Sequence, residues 1–214
     1  MFAEAMARLP TRPARTTVQE FPQRQSRLTS QFRHDDVFIL VAPPFAVHSN
    51  DVEYRYRTSS DLLYMTGWTE PESVFVLRHD GEAWISSLFV QPQDTLKEIW
   101  EGRRPGVKGA VADYAVDEAF NNDELEAKLE GWLTDARRVF HRSGFHAKVD
   151  RLVESAIRRR DRARQHFGTG PVAVEDPSGM LAELRLRKSS SEIEQMVYAS
   201  KVAAVAHELA MRHS

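Results

Sequence analysis

The sequence predicts an α/β fold, a mixed β-sheet flanked by helices. Three observations carry this. Val37 to Ala42 is a continuous β-branched and aromatic run stopped by Pro43-Pro44, which reads as a strand buried on both faces. Ser73 to Arg78 and Ala83 to Val90 flank His79-Asp80-Gly81-Glu82, whose Asp-Gly pair signals an antiparallel hairpin. Beyond Val107, helical patterns alternate with short apolar runs, as in a layered α/β domain.

Met1 to Arg33 is rich in Arg, Thr, Gln and Pro, with Glu4 and Glu20 as its acids and no sustained apolar period. Pro10, Pro13 and Pro22 would break the amphipathic helix of a mitochondrial presequence, and the apolar core of a secretory signal is missing. Residues 1–33 are therefore expected to form a mobile or surface-lying segment, followed by one domain over residues 34–186. Asp51 to Gly67 is too polar for a core strand and too aromatic for a solvated linker. It reads as an Arg- and Tyr-rich loop feeding a short buried helix, with Ser59 or Ser60 as cap, Leu62 to Met65 as burial material and Gly67 as left-handed stop.

Val107 to Thr134 reads as helical with a break near Asn121-Asn122, where Asn122 or Asp123 caps a helix carrying Leu125, Leu129, Trp132 and Leu133 on one stripe. Arg138 to His141 is a short strand. Ala147 to Arg162 is a helix with Val149, Leu152, Val153, Ala156 and Ile157 inward and Arg158 to Arg160 on a solvated face. Val172 to Val174 suggests a last strand, and Pro177-Ser178-Gly179 starts a short helix ending near Arg185. Ser189 to Ser191 then cap a long helix to Arg212 with Ile193, Met196, Val197, Ala204 and Met211 on one face. Nothing after it covers that face, so residues 187–214 read as a linker and the first helix of a further domain, expected to exchange its amide protons quickly from Glu192 to Arg212.

Composition limits the function classes. Hydrophobic residues at 42% and charged residues at 28% are globular, and no apolar run approaches the roughly 20 residues of a membrane span. A formal net charge of −2 provides no field for nucleic acid or an anionic membrane. The absence of cysteine excludes disulfides, thiolate metal sites and a cysteine nucleophile, and fits a cytoplasmic location. The eight histidines, at 34, 48, 79, 141, 146, 166, 207 and 213, include no helical i, i+4 pair of the zinc-hydrolase kind. No Gly-x-Ser-x-Gly elbow, phosphate loop or dinucleotide fingerprint is present. What remains is Glu98 to Pro105, where Trp100 between two acids is followed by Gly102, Arg103 and Arg104. That suits either an aromatic plate with guanidinium forks or a half-buried Trp with Arg-Glu pairs around it.

Three stretches in order, Tyr54 to Gly67, Glu-Ile-Trp-Glu-Gly-Arg-Arg at 98–104 and Glu-Leu-Arg-Leu-Arg-Lys-Ser-x-x-Glu-Ile at 183–193, resemble the aminopeptidase P (Xaa-Pro aminopeptidase) family of the creatinase, prolidase and methionine aminopeptidase superfamily. The resemblance implies a creatinase/prolidase-like N-terminal domain joined at about Arg187 to a "pita-bread" catalytic domain. In the family that second domain holds two divalent ions, usually manganese, on two Asp, one His and two Glu. None of these maps onto Met1 to Ser214, so the resemblance assigns this chain no catalytic residue, no metal ligand and no activity of its own. It implies a homo-oligomeric parent acting on peptides with proline in the second position. It also gives Asp51 and Trp100 a place at a cleft or subunit boundary, with Tyr54, Arg55, Arg57, Asp61, Tyr64, Arg103 and Arg104 organising the loops. Arg55 and Arg57 are expected to pair with Asp51, Glu53 or Asp61. The alternatives are a free-standing peptide-binding or assembly module that pairs with a separate catalytic chain, and a parent with amidinohydrolase chemistry on the same architecture.

Overall fold

The computed structural model describes residues 7, 9–14, 16, 18–50, 52–114, 116–162 and 169–213. Helix α1 (Glu20–Thr29) leads into strand β1 (Asp36–Val41). A small hairpin, β2 (Val47–Ser49) and β3 (Val52–Glu53), and helix α2 (Ser60–Thr66) precede strands β4 (Val74–His79) and β5 (Trp84–Val90). Helices α3 (Thr95–Glu101) and α4 (Gly106–Asp113) follow, then β6 (Glu118–Asn121), a 3-10 turn, α5 (Leu125–Asp135) and β7 (Arg138–His141). Helix α6 (Ala147–Arg162), β8 (Ala173–Glu175), α7 (Ser178–Leu186) and α8 (Ser190–His213) complete the chain.

Among the described residues, six strands form one mixed sheet in the order β6-β5-β4-β1-β7-β8. The β4–β5 hairpin is antiparallel as its Asp-Gly turn predicts, with Asp80 Oδ1 accepting from the Glu82 and Ala83 backbone N–H groups. β1 pairs antiparallel with β4 and parallel with β7, which places it in the middle of the sheet. Its residues alternate between two cores. Phe38 and Leu40 join Leu28 of α1, Leu62 and Met65 of α2, Ala110 of α4 and Leu181 of α7 on one face. Val37 and Ile39 join Leu125, Leu129 and Leu133 of α5 and Val149, Leu152, Val153 and Ala156 of α6 on the other. The buried apolar run in the sequence is the consequence of covering both faces.

The structure departs from the sequence expectation in three places. The domain begins before residue 34, because α1 is part of the core: Leu28 is fully buried, and Phe21, Arg24 and Gln25 are buried with it. Arg24 Nη1 and Gln25 Nε2 donate to the carbonyls of Tyr64 and Met65, which the last turn of α2 leaves unpaired. Residues 118–121, expected to be helical, form β6, because Ala119 and Phe120 lie opposite Leu88 and Phe89 of β5 and point to opposite faces. The β2–β3 hairpin lies where an irregular loop was expected, with its strand residues exposed.

Candidate functional site

Helix α3 and the loop after it form the first part of the site. Asp94 caps the helix by accepting from the N–H groups of Leu96 and Lys97, and Gly102 ends it at φ 90°. The loop is held by Arg104, whose N–H donates to Glu98 Oε1, whose Nη1 donates to the Pro92 carbonyl, and whose own carbonyl accepts from Gln93 Nε2. Held in this way, α3 turns Leu96, Ile99 and Trp100 into solvent, Trp100 being 90% exposed. Of the two readings open for this tryptophan, the half-buried one is therefore overturned. Arg103 is exposed beside it.

The second part is the stretch from β3 into α2. Tyr54 is exposed and stands edge-on to His48 at 4.9 Å, and its N–H donates to the Ala46 carbonyl. Arg55 and Arg57 are both exposed, and Arg57 Nη2 donates to Ser60 Oγ. Ser59 caps α2 through the Leu62 N–H, and Gly67 closes it at φ 74° with its N–H on the Leu63 carbonyl. Asp61 accepts from Arg185 Nη1 of α7 at 2.6 Å, not from Arg55 or Arg57. Tyr64 is buried, with the Arg24 guanidinium 4.2 Å over its ring and its hydroxyl donating to the Leu184 carbonyl. Burial raises its pKa, partly offset by the charge of Arg24. Asp51 lies outside the described residues.

Glu70, which the sequence reading passed over, links the two parts electrostatically. Burial raises its pKa, and a hydrogen bond from Thr69 and the charge of Arg104 oppose that rise. In turn Glu70 helps raise the pKa of Tyr56, which burial has already pushed up. No local pattern marks such a residue, since its role depends on two loops meeting in space. Among the described residues no group of three or more His, Asp or Glu side chains converges in a geometry that would hold a metal ion, and no helix is long and apolar enough to cross a membrane.

The comparisons with known proteins agree with this architecture. The family model described as "Aminopeptidase P, N-terminal domain" matches residues 21–140, so it starts within α1 rather than after it. The Xaa-Pro aminopeptidase of Escherichia coli K12 is 35% identical over 194 residues, which is 90% of this chain and 44% of that protein. The Haemophilus influenzae Xaa-Pro aminopeptidase is 31% identical over 97% of this chain and 44% of its own length. Among solved structures, proline aminopeptidase P II from Yersinia pestis superposes with a TM-score of 0.83 at 34% identity, over 92% of this chain and 45% of that one. A variant of Escherichia coli aminopeptidase P gives a TM-score of 0.82 over 91% of this chain and 44% of that one. The chain thus spans less than half the length of these relatives. With a matching family model over more than half its residues and the same mixed sheet, the chain belongs to the aminopeptidase P family, as its N-terminal domain.

Proposed function

We propose that this chain walls the substrate cleft and carries subunit contacts for a manganese-dependent Xaa-Pro aminopeptidase, an enzyme releasing the N-terminal residue that precedes proline. In this reading the parent is a cytoplasmic homo-oligomer. The two metal ions and the groups that handle protons belong to a catalytic domain lying against this one. The chain alone is inactive. Its own contribution is positional: Trp100, with Leu96 and Ile99, gives an apolar surface for the downstream residues of a peptide, and Asp51 provides an acid at the same boundary.

The observation that carries this reading is the exposure of Trp100. A rigidly capped helix that presents a tryptophan, a leucine and an isoleucine to water has the composition of a contact surface, where aromatic anchors dominate the energy. Sedimentation equilibrium on the wild type and on Trp100→Ala tests it. Self-association that weakens by about tenfold or more in the variant is expected, the size of effect that truncating one buried anchor produces. A chain that stays strictly monomeric at millimolar concentration argues against the boundary role.

The exposed face of α8, with Ile193, Met196 and Val197 open to solvent, favours a second reading in which the domain pairs with a separate catalytic chain. Mixing with such a chain would then protect these residues without any change at Trp100.

A further inference from the structure

Helix α8 is tied to the rest of the molecule at two points along its length. The first is its opening turn, where Ser191 Oγ donates to Glu20 Oε1 of α1 and Arg24 Nη2 lies 3.4 Å from Glu192 Oε1. The second is supplied by residues 9–14. Pro10, Thr11 and Pro13 line a cleft of about 300 Å³ together with Ile193, Val197, Tyr198 and Lys201, so this segment follows α8 over about 12 Å of its length. Gln195 Nε2 donates to the carbonyls of both Pro13 and Ala14, joining residues that stand 182 and 181 positions apart in the chain.

The sequence suits the segment to this place. Pro10 and Pro13 hold their own φ at about −65° and keep Leu9 and Arg12 before them out of the helical region, so the chain is extended before it meets the helix. A segment that is already extended loses less conformational entropy on docking than a flexible one. The side-chain amide of Gln195 carries two N–H groups on one nitrogen, and that nitrogen serves two successive carbonyls. None of residues 9–14 belongs to either core. Their contacts with α8 therefore do not hold the sheet and its helices together.

Ties confined to one turn hold a helix at a point and leave its direction free. A second contact further along removes that freedom. From this arrangement we infer that residues 9–14 are a strap that fixes the direction in which α8 leaves the domain, with Gln195 as its latch. When the strap lets go, α8 pivots about Ser191 and Glu192. The exposed residues Ile193, Met196 and Val197 move with it, so the strap also sets where anything that packs on that face must stand. This role is independent of the Trp100 boundary and of the aminopeptidase reading.

Pulsed dipolar electron resonance between two nitroxides tests it, and the absence of cysteine makes engineered label sites unique. Arg151→Cys is exposed on α6, and Ala199→Cys is exposed on α8 outside the strap cleft. Dilution with unlabelled chain restricts the signal to distances within one molecule, so self-association does not enter. The full chain should give one narrow distance distribution. Deletion of residues 1–14 should shift or broaden it by about 5 Å, the displacement that a swing of roughly 20° produces at about 13 Å from the pivot. Gln195→Leu, which keeps the bulk of the side chain and removes the donor, should change the distribution in the same direction. Far-UV circular dichroism of both variants should match the full chain, since the two cores are untouched. Either of two results overturns the inference: a distribution that the deletion leaves as narrow and at the same distance, or one that is already broad in the full chain.

Discussion

Asp36 shows at the residue scale how much one buried charge depends on its partner. Its side chain is fully buried at the start of β1, where it accepts from the Arg33 N–H and takes a two-pronged bond from Arg138, Nη2 at 2.6 Å and Nε at 2.8 Å. Arg138→Ala leaves that carboxylate without a counter-charge and should cost about 3 to 5 kcal/mol in urea unfolding. Trp100→Ala, at an exposed position, should change stability by no more than about 0.5 kcal/mol, which separates a contact role from a folding role. Glu70 gives the pH test. Its folded pKa is raised, so its contribution is fully present below its unfolded value and is lost as pH rises through the folded one. Glu70→Gln should accordingly raise the melting temperature near pH 8 and lose that advantage near pH 4, where the wild-type acid is largely protonated. At this scale the sequence was informative where a residue stood out by type, as Trp100 did between two acids. It offered Asp61 a partner among the neighbouring arginines, whereas its partner Arg185 is 124 residues away, and it was silent on Glu70, which gains its meaning from two loops meeting.

Elements were legible where their period was long or their capping residues were plain. Helix α6 and strand β7 have the limits expected of them, and the Asp-Gly turn of β4–β5 and the Ser59 and Gly67 caps of α2 follow local chemistry. Helix α1 was missed because its buried face carries Arg24 and Gln25, residue types that usually mark a surface. Their justification, carbonyls 40 residues along the chain, is not local. β6 was missed because its four residues become a strand by pairing with β5. Gly67→Ala tests the junction of α1 and α2: a Cβ there would lie 2.8 Å from the Phe21 ring on a backbone at φ +74°, so a loss of about 1 kcal/mol or more is expected in thermal melts. Helix α8 is tied at its start, and Gln195 Nε2 also donates to the Pro13 and Ala14 carbonyls. Ser189 and Glu192 exchange capping hydrogen bonds, Ser191 Oγ donates to Glu20, and Arg24 lies 3.4 Å from Glu192. Amide exchange should therefore be slow at this first turn and fast from Val197 to Arg212, where the apolar face is open. Burial opposes ionisation of Glu20, but Ser191, Ser189 and Arg24 together lower its pKa. Its share of the anchor is therefore present above the unfolded value and lost as pH falls through the lower folded one.

The whole molecule is a three-layer α/β domain with two cores and a set of surfaces that its own chain does not cover. The layered architecture could be read from the alternation of elements, and the family from three motifs spread along the chain. Neither fixes the activity, because the chain spans 44% of the Xaa-Pro aminopeptidases it matches from Escherichia coli and Haemophilus influenzae. Under the proposed function this domain positions and assembles while hydrolysis resides elsewhere. The most direct measurement is incubation of the purified chain with manganese and an Xaa-Pro peptide, with release of the N-terminal residue followed over time. No turnover above the uncatalysed background is expected; metal-dependent release by this chain alone, at the rate of an active peptidase, would overturn the proposed function.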